Sequence, residues 1–214
     1  MASIVFILFI TVGVPVAGCV YAIYKRRFIP FLLGVLAFVI SQMLIRIPLL
    51  EYLAAESSSY LMWSVKYPVS FVIFLAFSPG IFEELARSIA MRFFMKQRDS
   101  LSGVIFGIGH GGIEAFLIVG INVLAIMSTN FYWLSGFERI IAISLHIGLS
   151  LIVLVAVKQK RFSYVLVAIG LHGIINTFAG ILSVSLIAIE IVLLILTIIT
   201  ILIAYSLLRK DEKI

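Results

Sequence analysis

The chain has 214 residues, of which 63% are hydrophobic and only 12% are charged. Soluble domains carry about 25% charged residues, so this composition excludes an ordinary soluble domain and indicates a polytopic membrane protein. The net charge of +6 is not arranged as a nucleic-acid-binding surface, and we expect no nucleic-acid partner. Cys19 is the only cysteine of the chain, which excludes an intrachain disulfide.

Apolar segments of membrane-spanning length recur along the whole chain. A helix needs about 20 apolar residues to cross the bilayer core. Seven runs approach or exceed this length, over residues 2–24, 28–49, 67–92, 101–128, 137–157, 162–181 and 184–208. Because lipid offers backbone groups no partners, these runs predict an all-α fold, a polytopic bundle of about seven transmembrane helices. With no repeat or linker to divide it, the chain is predicted to form a single integral membrane domain over residues 1–214.

Basic residues predict the orientation of the chain in the membrane. Twelve of the sixteen Lys and Arg residues follow the odd-numbered runs, as Lys25, Arg26 and Arg27; Arg92, Lys96 and Arg98; Lys158, Lys160 and Arg161; and Arg209, Lys210 and Lys213. The positive-inside rule then predicts that the N-terminus lies outside and the C-terminus inside. No basic segment precedes the first run, which predicts a retained helix and not a cleaved signal peptide.

Eight costly polar residues lie inside four of the apolar runs. They are Glu83, Glu84, Arg87, His110, Glu114, His146, His172 and Asn176, and they include all three histidines of the chain. A charged group inside a bilayer costs several kcal/mol unless it is paired. At 1.5 Å per residue, the ionisable groups of the four runs lie roughly 12–18 Å from the cytoplasmic side. This agreement in depth predicts that the four helices meet at one site.

The two adjacent glutamates cannot do the same work. Their side chains point about 100° apart on a helix, so we predict that one faces the site and the other holds Arg87. The spacing leaves open which of Glu83 and Glu84 has which role. Pro79 and Gly80, just before them, predict a kink or a break in the helix, with Ser78 capping its second half.

The cluster suits two chemistries. Three carboxylates against Arg87 leave a charge of −2 when the histidines are neutral, which favours protonation or a divalent cation. His110, His146 and His172 are candidate ligands of Zn²⁺, with a coordination position left for water. In the metal-free alternative, a glutamate activates water while His and Asn side chains stabilise the oxyanion.

These residues also carry a family resemblance. The segments Glu83-Glu84-x-x-Arg87, Phe106-x-x-x-His110 and His172-x-x-x-Asn176 resemble the three-motif signature of the CAAX-protease/bacteriocin-processing (CPBP) and PrsW intramembrane proteases. The blocks GIGHGGIE at 107–114 and FERIIAISLH at 137–146 look like the YhfC branch, a group of bacterial intramembrane metalloproteases. The resemblance implies a catalytic core over about 78–180 and a bacterial cell membrane as the location.

The resemblance also implies roles for the site residues. Glu83 or Glu84 would activate water, and His110 and His172 would bind metal or stabilise the oxyanion. Asn176 would assist His172, and the branch would add Glu114 and His146 to the site. Two residues separate Glu84 from Arg87, as in PrsW-like members, whereas CAAX-processing members usually have three. A prenylated substrate is therefore not implied.

Three functions remain compatible with the sequence. The first is an intramembrane endopeptidase that cuts a membrane-associated protein or peptide near the cytoplasmic leaflet. The second is a cation or proton carrier that uses the cluster as a relay, and the third is an inactive membrane scaffold. The lack of an internal repeat favours the peptidase over the carrier. Of the remaining charges, Arg46 is expected to snorkel outward and Arg139 to anchor at the outer interface, while Glu190 has no predicted role.

Overall fold

The computed structural model describes residues 2–126, 132–181 and 185–211, which form helices joined by short connections, with no strand among them. In chain order the helices are α1 Ala2–Tyr24, α2 Phe28–Glu56, α3 Ser58–Lys66, α4 Pro68–Phe94, α5 over residues 100–126, α6 Tyr132–Gln159, α7 Phe162–Ile181 and α8 Leu186–Asp211. Within the described ranges, seven of them are long and apolar enough to cross a membrane, all except α3. The predicted all-α bundle of seven spans is therefore confirmed, while the side on which each terminus lies stays a prediction.

Four of the long helices contain a π-helical turn. These turns are Phe9–Gly13 in α1, Val39–Arg46 in α2, Ala90–Phe94 in α4 and Phe116–Gly120 in α5. A π-turn re-aims the side chains that it carries and is frequent at functional sites. The turn in α2 is the longest of the four at eight residues, and it carries Gln42 and Arg46, two polar residues that face the interior.

Helix α4 passes through Pro79 without the predicted break. The α-helix is continuous from Pro68 to Ile89, so the expectation that Pro79 and Gly80 split it is wrong. Proline has no amide hydrogen, which leaves the carbonyl of Leu75 without its helical donor. Ser78 does not cap a second helix but donates its hydroxyl to Leu75 O at 3.0 Å, and Arg46 Nη2 donates to the same oxygen at 2.8 Å. These two donors take the place of the missing amide.

Helix α5 packs closely against two neighbours because of its glycines. A Cβ on Gly109 would lie 2.3 Å from the carbonyl oxygen of Phe31 in α2, and one on Gly107 would lie 2.5 Å from Ile147 Cα in α6. Neither distance is tolerable for a real side chain, so glycine is required at both positions. Close backbone approach of this kind holds His110, which directly follows Gly109 in sequence, against α2 and α6.

Candidate active site

The structure brings the predicted site residues together from four helices. Seven of them form one network of side-chain contacts, and the eighth, Asn176, lines the same cavity: Glu83, Glu84 and Arg87 come from α4, His110 and Glu114 from α5, His146 from α6, and His172 and Asn176 from α7. The three imidazoles lie side by side, with ring centroids 4.8 Å apart for His110 and His146 and 5.4 Å apart for His146 and His172. The roles assigned to these residues from the sequence stay predictions.

The two adjacent glutamates face different partners. Glu83 Oε2 lies 2.8 Å from His110 Nε2, and 4.0 Å from both His146 Nδ1 and His172 Nε2. Glu84 is fully buried, with Oε1 2.9 Å from His172 Nδ1 and Oε2 3.2 Å from Arg87 Nη1. The structure thus places Glu83 among the imidazoles, and Glu84 is the carboxylate that contacts Arg87.

Arg87 determines which nitrogen of His146 carries a proton. Its Nη2 lies 3.0 Å from His146 Nδ1, and a guanidinium can only donate hydrogen bonds. His146 Nδ1 is therefore an acceptor, and the proton of the neutral ring is on Nε2. That nitrogen lies 2.5 Å from Glu114 Oε2, so the ring donates to Glu114 while it accepts from Arg87.

Arg139 belongs to the site, which the sequence interpretation missed. The residue is only 8% exposed, with Nη1 3.4 Å from Glu114 Oε1 and Nη2 2.5 Å from Glu138 Oε1. The expectation of an interfacial anchor is wrong, because Glu114 attracts the guanidinium inward. With Glu138 counted beside Glu83, Glu84 and Glu114, four carboxylates face two guanidiniums, and the net charge of these six groups is −2 when the histidines are neutral.

Gln42 and Arg46 of α2 also belong to the site, which the sequence interpretation did not predict. Gln42 Nε2 donates to Glu83 Oε1 at 2.7 Å, and Arg46 Nη1 donates to Gln42 Oε1 at 3.1 Å. Arg46 Nε also donates to Ser78 Oγ at 2.8 Å. The expectation that Arg46 snorkels outward is therefore wrong. The i,i+4 spacing of these two polar residues inside an apolar run was the available signal.

A group of donors at the centre could hold a metal ion. Glu83, His110, Glu114 and His146 each offer one ligand atom, and the four atoms lie within 4.8 Å of one another. His110 is well suited, because its buried Nδ1 has no hydrogen-bond partner among the described residues and can carry the ring proton while Nε2 binds a cation. His146 is less suited to bind a cation, since its Nε2 is the protonated nitrogen. His172 lies outside this group of four.

One cavity of about 280 Å³ gives access to the site. Glu83, Glu114, His146, His172 and Asn176 all line it, together with apolar side chains from α2, α5, α6, α7 and α8. Glu84 and Arg87 lie behind the cavity wall and are fully buried. A mostly apolar cavity with a few convergent polar groups is the usual form of a binding or active site.

A seven-span bundle with a buried cluster of carboxylates and imidazoles, reached through an apolar cavity, is a membrane protein with a functional site inside the bundle. The chain belongs to the family described as YhfC intramembrane metalloprotease, whose model matches residues 7–130 and 121–198. This confirms the YhfC resemblance carried by the motifs.

A curated relative agrees with this family. The chain is similar to the uncharacterized membrane protein YhfC of Bacillus subtilis (strain 168), with 34% identity over 148 residues. The match covers 53% of this chain and 57% of the relative, so the chain spans little more than half the length of that protein. No solved structure matches the chain. The relative and the seven apolar helices together make this a multi-pass membrane protein, and a bacterial source fits the relative.

Removing one partner of the buried contact between Glu84 and Arg87 is expected to destabilise the fold more than removing both. Arg87→Met leaves Glu84 buried without its cation, which typically costs about 3–5 kcal/mol. We expect a marked fall in thermal stability in detergent micelles, and partial recovery when Glu84→Gln is added to the same chain.

Arg92→Met is the matched control, because Arg92 lies on the same helix and is exposed. It should leave the unfolding temperature nearly unchanged. Equal unfolding temperatures for Arg87→Met and Arg92→Met would show that the buried pair does not carry this role.

Proposed function

We propose that the chain is an intramembrane endopeptidase that hydrolyses a peptide bond in a membrane-associated protein or peptide. One observation carries the proposal. Glu83 lines the cavity beside His146, His172 and Asn176, while Glu84 lies behind the wall with both carboxylate oxygens engaged. The family description supports the same activity. Of the two adjacent glutamates, Glu83 therefore faces the space for substrate and water, and Glu84 supports the helices around it.

Glu83 is the group that activates water in this proposal. Its Oε1 accepts from Gln42 and its Oε2 faces the three imidazoles, so the orientation of the carboxylate is fixed before substrate arrives. A water in the cavity would give its proton to Glu83 as its oxygen attacks the peptide carbonyl. The same carboxyl group would then return the proton to the leaving amine nitrogen. General base catalysis of this kind contributes about 10²–10⁴ in rate.

His172 and Asn176 are placed to stabilise the charge that develops on the carbonyl oxygen. Both line the cavity, and they share one face of α7 at i,i+4 spacing. The Asn176 amide can donate directly to an oxyanion. His172 Nδ1 donates to Glu84, which orients the ring and leaves Nε2 directed toward Glu83. Once protonated between two carboxylates, His172 can donate as well.

The donor set also fits a divalent ion such as Zn²⁺. Glu83, His110 and Glu114 would hold it, and His146 would join only in the tautomer that carries its proton on Nδ1, which the contact with Arg87 disfavours. Imidazole and carboxylate groups are ordinary zinc ligands. An ion bound there would polarise the peptide carbonyl and acidify a bound water. His172, with Nδ1 on the Glu84 carboxylate, has the hydrogen bond to an acid that metal-binding histidines usually make.

Among the described residues, mostly apolar side chains pack on one side of the site, which disfavours the carrier alternative. Leu149 and Ile152 follow His146 on α6, and Phe106 precedes His110 on α5, all with 0% exposure. A proton or cation relay needs polar groups or water along its whole path. An apolar layer that seals one side suits a hydrolase, which needs a single entrance.

Glu83→Gln is expected to abolish cleavage while the bundle stays folded, because the amide keeps the shape of the side chain but cannot accept the proton of water. The measurement compares the membrane proteomes of cells that express wild-type protein or Glu83→Gln by labelling new N-termini. New peptide ends should be present only with the wild-type chain.

Glu51→Gln, an identical change at an exposed position near the end of α2, is the control and should cleave like the wild type. The peptidase proposal fails if Glu83→Gln produces the same peptide ends at the same rate.

Metal content is expected to follow the central donors. Protein purified without chelators should hold about one Zn²⁺ per chain, as expected for a single group of central donors that leaves a coordination position for water. His110→Ala and Glu114→Gln should each lose it, and Glu51→Gln should keep it, as measured by elemental analysis. Full cleavage activity in a metal-free preparation would contradict the metal assignment and select the mechanism in which Glu83 acts alone.

A further inference from the structure

Within the part of the chain that the structure describes, the cavity extends from the site in one direction. The basic end is the end of the bundle that carries the clusters at 25–27, 92–98, 158–161 and 209–210. The ion pair between Arg27 and Asp99, at 2.9 Å, and the contact between Lys158 and Asp211 join the loops and helix ends there. The depth of the site predicts a cleaved bond near the cytoplasmic leaflet, but depth does not define the side from which substrate arrives.

Three helices show that the cavity leads away from the basic end. Helices α4 and α6 run toward the basic end, and their lining residues Pro79 and Glu138 precede the site residues. Helix α7 runs the other way, and its lining residue Ala179 lies seven positions after His172. At 1.5 Å per residue, the cavity extends roughly 10–12 Å from the histidines toward the opposite end.

The other side of the site is closed by apolar packing. Met91, Met95, Phe106, Leu149 and Leu154 belong to one core cluster and are at most 1% exposed. Met91, Phe106, Leu149 and Leu154 each lie between a site residue of their own helix and the basic end, Met95 directly follows α4 there, and none of the five lines the cavity. Close-packed interiors of this kind leave no passage for a peptide.

Some of the residues at the mouth of the cavity are exposed. Met43 of α2 and Ile118 of α5 line it and are 41% and 48% exposed, and Ala179 is exposed as well. Arg46 and Arg139 line the wall between this rim and the catalytic glutamate. The entrance is therefore apolar at its rim and polar further in, which fits a peptide segment whose backbone needs hydrogen-bonding partners once it leaves lipid or water.

We propose that substrate reaches the site from the end opposite the basic clusters. With the orientation given by the positive-inside rule, this is the outer side of the membrane. The substrate class is then a membrane-associated protein whose cleavable segment is presented at the outer face or within the outer leaflet. The proposal rests on the proposed peptidase function for its substrate, but the direction of access stands on the cavity alone.

Cysteine labelling tests the direction of access without any measurement of cleavage. Cys19→Ser first removes the natural thiol. Ala142→Cys then places a thiol in the cavity wall four residues before His146, and Ala168→Cys places one four residues before His172 in the closed core. The two substitutions are chemically identical and lie at equal sequence distance from a site histidine, but on opposite sides of the site.

The probe is a membrane-impermeant maleimide applied to intact cells and to inside-out vesicles. Lys96→Cys, exposed at the basic end, reports which preparation presents that end to the reagent. We expect Ala142→Cys to be labelled in the preparation in which Lys96→Cys is protected, and Ala168→Cys in neither.

Labelling of Ala142→Cys from the same side as Lys96→Cys, or from neither side, would overturn the proposal. So would labelling of Ala168→Cys. Glu83→Gln, placed in the Ala142→Cys chain, should be labelled like its parent. Failure of the peptidase function would therefore leave this result intact.

Discussion

The need to compensate buried carboxylates organises the interior of this bundle. An ionised acid in a bilayer is tolerated only with charged or hydrogen-bonding partners, and each central carboxylate has them from helices other than its own. Glu83 contacts Gln42 and His110, Glu84 contacts His172, and Glu114 contacts His146. Because the partners are distributed over α2, α5, α6 and α7, the charges are compensated only when these helices pack together, and that packing also assembles the site.

Compensation also separates the roles of the two adjacent glutamates. Glu84 contacts Arg87 and His172 and does not line the cavity. Glu83 lines the cavity and is held in place by partners from other helices. A chain of contacts extends the support of Glu83 to the proline of α4. The carbonyl of Leu75, freed by Pro79, binds Arg46, which orients Gln42 against the carboxylate. A local defect in one helix thus serves the geometry of the candidate catalytic group.

The sequence was informative wherever a polar residue violated the apolar pattern of its own helix. Hydropathy predicts the membrane spans, and the helical rise predicts that Glu83, His110, His146 and His172 converge. The 100° rotation per residue predicts that the two adjacent glutamates face different partners. Arg46 and Arg139 were misread because a single arginine near the end of a span looks the same whether it snorkels or turns inward. Which occurs depends on acceptors from other helices, and the pairing of helices is not readable from one sequence.

The central claim is that Glu83 is the reacting carboxylate and that contacts from α2 hold it in place. Gln42→Leu tests this most directly, because it removes the donor to Glu83 Oε1 without touching the cavity histidines. On a substrate peptide identified by the proteome comparison, kcat should fall about 10–100-fold with KM unchanged, the usual cost of losing a supporting hydrogen bond. Ser41→Ala, a buried neighbour that bonds only within its own helix, should cleave like the wild type. An unchanged kcat in a folded Gln42→Leu chain would contradict the account.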